Sequence, residues 1–209
     1  MNVDVVVYDG FDELDGIGPY EVFDHAFSVA GDAGDAGRVR YVTLGERETV
    51  TASHGTRVGV DGVLPDPTDE SAPDLLVVPG GGWRARDEAA SAWAEAQRGD
   101  LPDALARYHD TAVTIASVCT GSMLLAEAGV TDGRRAVTHA SALDELRESG
   151  ARVVDARVVD DGDLITAGGI TSGIDLALHL VEREFGKPTA ERVATVLEYE
   201  RRGDIAGAA

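Results

Sequence analysis

The chain is 209 residues long, enough for one full hydrophobic core, and its 38 acidic against 18 basic residues leave a formal net charge of −20. That balance excludes nucleic acid and anionic membrane surfaces as partners, because both need a cationic footprint to release counterions. Cys119 is the only cysteine, which excludes a disulfide within the chain and a Cys-rich zinc site and suits a reduced, cytoplasmic protein.

The first element is a strand over residues 3–8, whose near-continuous valines suit a central parallel strand buried on both faces. No basic region precedes it, so it is not a signal peptide, and no later segment is apolar over a bilayer-spanning length. Val22, Phe23, Ala26, Phe27 and Ala30 recur at helical spacing, so a helix starts near residues 16–19 and ends before Gly31-Asp32-Ala33-Gly34. Asp15 stands at its beginning and reads either as an N-cap or as an acid/base group at the carboxyl edge of the sheet. Residues 39–44 form a second strand, 50–61 a hairpin around His54-Gly55, and 65–73 a loop. Residues 74–79 are a third buried strand. Behind it, Gly80-Gly81-Gly82 reads as a flexible turn or as backbone N–H groups forming half of an oxyanion hole. The triplet matches neither GxGxxG nor a P-loop, so nucleotide binding has no support. Residues 84–97 and 101–109 read as helices over the sheet.

The stretch Thr111-Ala-Val-Thr-Ile-Ala-Ser-Val-Cys119-Thr120-Gly121-Ser122-Met-Leu-Leu-Ala-Glu-Ala-Gly129 organises the rest. A β-branched run of strand length meets Cys119, and a leucine-rich helical pattern starts directly behind it. This is the signature of a nucleophile elbow above the carboxyl edge of a parallel sheet, where helix N–H groups are expected to favour the thiolate. Downstream, residues 135–139 form a short strand and Ser141 caps a helix through Arg147. Val153 and residues 158–166 pair around an Asp161-Gly162 turn. Gly168-Gly169 leads into a helix with Ile174, Ala177, Leu178, Val181 and Phe185 as its core stripe. Pro188 opens a last helix, with Val193, Val196 and Leu197 inward. Strands and helices alternate almost throughout, so one α/β domain over residues 1–209 is expected, its parallel sheet covered on both faces.

The five histidines show no HExxH pattern, and neither a metal nor a cofactor is expected. His139 alone lies at a strand end that faces the elbow, as a structural hydrogen-bonding residue or as part of the site. Lys187 is the only lysine; with the acidic excess, this resembles the solvated surfaces of proteins from salt-accumulating halophiles.

Several stretches together carry a family likeness: Tyr8-Asp-Gly-Phe-Asp-Glu-Leu-Asp15-Gly-Ile-Gly-Pro19, Val78-Pro-Gly-Gly-Gly82, Ser117-Val-Cys119-Thr-Gly-Ser122, Gly133-Arg-Arg-Ala-Val-Thr-His139 and Thr166-Ala-Gly-Gly-Ile-Thr-Ser-Gly-Ile-Asp175. In this order over almost the whole chain, they resemble the ThiJ/PfpI superfamily, and within it the isonitrile hydratase branch. The resemblance implies a flavodoxin-like three-layer α/β sandwich of glutamine amidotransferase-like type with a mostly parallel central sheet. It also implies a homodimer and a small-molecule substrate. Cys119 would be the nucleophile and Asp15 its acid/base partner, with Thr120 and the Gly81 and Gly82 backbone stabilising the electrophile. The chain departs from the superfamily at Thr120, where protease-like and amidotransferase-like members carry a His, and at Ala140, where the hydratase branch tends to have an aromatic residue.

The chemistry so implied is addition of water to an isonitrile. Cys119 attacks the terminal carbon while Asp15 protonates the substrate. Water deprotonated by Asp15 then expels the thiol and leaves an N-substituted formamide. The two groups are expected to share a proton and titrate as a unit. The rivals are glyoxalase or deglycase chemistry on α-oxoaldehydes, in which Asp15 and His139 move a substrate proton, and a non-enzymatic ligand or redox sensor.

Overall fold

The computed structural model describes residues 1–31, 37–203 and 205–207; the Asp32-Ala33-Gly34 part of the expected helix stop lies outside them. In chain order, β1 (Asn2–Val6), α1 (Glu13–Ala30) and β2 (Arg38–Thr43) precede the antiparallel hairpin of β3 (Thr49–Thr51) and β4 (Arg57–Gly59). Next come β5 (Gly62–Val63), β6 (Leu75–Val78), α2 (Ala92–Arg98), α3 (Asp100–Ala106), β7 (Thr114–Val118) and α4 (Gly121–Glu127). The last part holds β8 (Arg135–Ala136), α5 (Leu143–Glu148), β9 (Arg152–Val153), β10 (Val158–Asp160), β11 (Leu164–Ala167), α6 (Ser172–Phe185), α7 (Lys187–Val196) and β12 (Ile205–Ala206).

Eight strands form one sheet in the order β12-β10-β11-β7-β6-β1-β2-β5, parallel throughout except at β10–β11. All four residues of β6 and four of the five in β1 and in β7 are buried. Only a sheet covered on both faces requires such apolar runs. Helices α1, α6 and α7 pack on one another in one layer, and α2, α3 and α4 in another. The register pairs Val5 with Val77, Val77 with Ala116 and Val118 with Ala167. The carboxyl ends of four adjacent strands therefore lie level, and the residues just beyond them share one edge. Among the described residues, no helix is long and apolar enough to cross a membrane.

Several boundaries differ from the sequence expectation. Helix α1 begins at Glu13, three residues before the expected start, because Asp12 caps it by accepting the Leu14 N–H at 3.2 Å. Asp15 is thus not the N-cap, and Pro19 lies inside the helix. Residues 84–91 form turns, and α2 starts only behind the Ser91 cap. This stretch is helical by composition, but most of it is exposed, so no apolar face stabilises a helix there. Ser141 does not cap a helix; the His139 ring accepts the Ser141 N–H, starting a short 3-10 turn over Ala140–Ala142 before α5. Val196, expected inward, is 54% exposed, whereas Val193 is fully buried.

Candidate active site

Strand β7 delivers Cys119 into a backbone conformation with φ of 56°, which non-glycine residues seldom adopt and which costs on the order of 1–3 kcal/mol. The surroundings hold it there. Its N–H is shared between Ala167 O at 3.1 Å and Gly168 O at 2.8 Å, and its C=O accepts the Thr138 hydroxyl at 2.8 Å. The chain then turns directly into α4, and the turn needs glycine. A Cβ on Gly121 would stand 2.0 Å from the Val78 carbonyl oxygen, inside any van der Waals contact. The same closeness presses the elbow against the glycine loop, where Gly81 has φ of 137° and donates its N–H to Thr120 Oγ1 at 3.1 Å. With the Gly81 N–H so engaged, Gly82 N–H is the loop donor left without a partner among the described residues.

Asp15 comes from the first turn of α1 and is wholly buried. Its Oδ2 accepts the Gly80 N–H at 3.0 Å, while its Oδ1 has no hydrogen-bond partner. The Cys119 thiol, a hydrogen-bond donor beside the carboxyl, also favours the charged carboxylate. Burial, with the Asp12 carboxylate nearby, wins over both of these effects and holds Asp15 well above the usual carboxylate range. Burial likewise pushes the Cys119 thiol up to about 12, and the charge of Asp15 adds to the rise. The Ile170 and Thr120 N–H groups act in the opposite direction but do not prevail. The thiolate expected at the elbow is therefore not the resting form. The helix terminus contributes, but desolvation of the buried Cys119 outweighs it.

Above the pair lies a cavity of about 310 Å³, bounded by Asp12, Gly81, Gly82, Trp83, Cys119, Thr120, His139 and Ile170, with Arg84 and Ser141 at its rim. The structure thus brings Cys119, Thr120, Gly81, Gly82 and His139 onto one cavity, with Asp15 packed below. His139 Nδ1 faces the Ser141 N–H at 3.2 Å and the Ser141 hydroxyl at 2.8 Å, so this nitrogen serves as an acceptor. Glu145 of α5 fixes the opposite wall. It accepts the Trp83 indole N–H at 2.8 Å and pairs with Arg84 at 2.7 Å and Arg86 at 3.2 Å. Sequence reasoning missed this wall, because Glu145 is 62 residues from Trp83 and no local pattern links them. Asp12 was missed too, although as the helix cap it stands three residues before Asp15.

A family model described as the DJ-1/PfpI family matches residues 1–183. An isonitrile hydratase of Pseudomonas putida is 35% identical over 204 residues, which cover 95% of this chain and 78% of the relative. A protein named as a deglycase in Thermococcus kodakarensis is 29% identical over 178 residues, 80% of this chain and 89% of that one. Among solved structures, Drosophila melanogaster DJ-1beta superposes with a TM-score of 0.77 at 24% identity, covering 95% of this chain and 98% of that one, which shows the shared fold.

Proposed function

The chain belongs to the DJ-1/PfpI family, and from that premise we propose that it is a cysteine-dependent enzyme that hydrates an isonitrile to an N-substituted formamide. The observation that carries this reading is Asp15, a wholly buried carboxyl held above its usual range, with one oxygen unpartnered beside the elbow cysteine. A carboxyl whose burial favours the protonated form is suited to act as an acid, and an isonitrile is a substrate whose terminal carbon takes a proton before it takes a nucleophile.

In the first half-reaction Asp15 gives its proton to the terminal carbon of R–N≡C. The carboxylate so formed withdraws the thiol proton of Cys119 as sulfur bonds to that carbon, giving the thioimidate R–N=CH–S–Cys119. A thiol that resists ionisation in the free protein is thus activated only after the substrate has been protonated. The Gly82 N–H and the Thr120 hydroxyl orient the substrate and stabilise charge on it. Water then hydrolyses the thioimidate, releasing the formamide and the thiol. The cavity suits a compact R group, and the Trp83 and Ile170 side chains give it an apolar side. The protein works on this reading as a cytoplasmic homodimer, which analytical ultracentrifugation tests directly.

The test of the reaction is incubation of wild type and Cys119→Ala with cyclohexyl isonitrile, following the N-formamide by mass spectrometry in about 1 M KCl. Formamide from the wild type alone is the expected result; no formamide overturns the reading. The likeness to the named deglycase favours a second reading, in which the same cysteine attacks an α-oxoaldehyde. Methylglyoxal converted to lactate, with the isonitrile left intact, would select it. Ligand binding that survives Cys119→Ala without turnover of either compound would select a sensor.

A further inference from the structure

The first half-reaction leaves Asp15 protonated again, because it gives one proton to carbon and takes one from sulfur. In the second half-reaction a protonated Asp15 serves as the acid for the imine nitrogen, and a separate base would take the proton of the attacking water at the same moment. The cavity lining decides which group can do so. Of the groups that line the cavity, Arg84 is paired with Glu145 and has no acceptor. His139 spends its Nδ1 on Ser141, so the proton of the neutral ring sits on Nε2 and no free nitrogen lone pair is left. Asp12 remains. Its Oδ1 accepts the Leu14 N–H at 3.2 Å, and its Oδ2 has no partner among the described residues. It is half-buried on the cavity wall, and its charge reaches both Asp15 and Cys119.

We propose that Asp12 is the general base of the second half-reaction and that the site divides its acid and base work between Asp15 and Asp12. Asp12 takes one proton of the water as the water oxygen bonds to the thioimidate carbon. The C=N electron pair moves to nitrogen, which takes the Asp15 proton, giving R–NH–CH(OH)–S–Cys119. The C–S bond then breaks and sulfur leaves with its electron pair. Asp15 takes the hydroxyl proton, Asp12 gives its proton to sulfur, and both carboxyl groups return to their starting states. The assignment replaces the expectation that Asp15 serves in both directions, and it rests on the hydratase reading of the site.

The test uses Asp12→Asn and Asp12→Ser, because Asn and Ser cap helices as Asp does and leave α1 in place. Each variant and the wild type are mixed with cyclohexyl isonitrile and, separately, with p-nitrophenyl acetate, which acylates a cysteine without isonitrile chemistry. Intact-protein mass then follows the Cys119 adduct as it forms and decays. The expected result is an adduct that still forms in both variants but decays roughly 100-fold more slowly, in proteins that remain folded. Adduct decay at the wild-type rate overturns the assignment, and so does loss of adduct formation in folded variants. If the wild type makes no formamide but the thioester is long-lived only in the variants, Asp12 stands as the base and the isonitrile reading falls. If neither reagent modifies the wild-type cysteine, both fall.

Discussion

At Asp15 the proposed acid role and the stability of the fold pull apart. Burial and Asp12 raise its folded value above the 3.8 of an ordinary carboxyl. Between those two values the native protein holds a proton that the unfolded chain has lost. Its contribution is therefore fully present below the unfolded value and is lost as pH rises through the folded one. Asp15→Asn is neutral at every pH and keeps an oxygen to accept the Gly80 N–H. We expect the melting-temperature advantage of Asp15→Asn over wild type to grow as pH rises through that window, while turnover falls by about 10²–10⁴-fold. A difference that does not change with pH would show that Asp15 is ionised in the folded protein. The thiol offers a second check. With its value pushed up to about 12, alkylation of Cys119 by iodoacetamide should keep accelerating above the 9.0 of an ordinary thiol. Asp15→Asn should shift that profile down only in part, because burial is the larger cause.

At the scale of elements, the site depends on how closely α4 can approach β6. Gly121→Ala places a methyl group 2.0 Å from the Val78 carbonyl oxygen. The elbow must lift or the strand must shift, which should destabilise the fold by about 1–3 kcal/mol in urea titration and displace Cys119 from Asp15. A variant as stable and as active as wild type would show that the elbow has slack. The opposite wall depends on α5. Glu145→Ala releases Trp83, Arg84 and Arg86 together, leaving Cys119 and Asp15 on β7 and α1 untouched. The expected result is a several-fold rise in KM with a smaller change in kcat, since a loosened wall weakens binding of substrate and transition state alike. The local pattern of residues 84–91 gives no hint of this wall. Composition favours a helix, but the side chains are drawn across to α5.

For the whole molecule, the dominant quantity is the net charge of −20. Self-repulsion at that level opposes compaction, and salt weakens it by shortening the screening length from about 10 Å at 0.1 M to about 3 Å at 1 M. The melting temperature should therefore rise over that range of KCl. Screening also weakens the exposed Arg–carboxylate pairs, such as Arg147–Asp144 and Arg98–Glu95. Each is worth about 0–1 kcal/mol, too little to reverse the trend. A melting temperature that falls with salt would mean that these pairs, and not the net charge, govern stability.

The sequence by itself determined the sheet, the elbow and the place of Cys119 on it. Valine runs of strand length, a leucine-rich helix directly behind Cys119 and glycines at the strand ends are local signals, written within a few residues of what they specify. It also placed Asp15 and His139 on the correct edge, because parallel strands bring their carboxyl ends together whatever lies between them. Only the tertiary structure decided the charge states and the walls. Whether Cys119 rests as thiol or thiolate depends on desolvation by neighbours far along the chain, and the helix-terminus rule alone points the wrong way. Asp12, Trp83 and Arg84 meet at the cavity, and Glu145 holds Trp83 there from 62 residues away, which no period or motif encodes. Local patterns specify elements because they arise from local backbone physics, whereas the proton inventory of a site depends on what surrounds it in space.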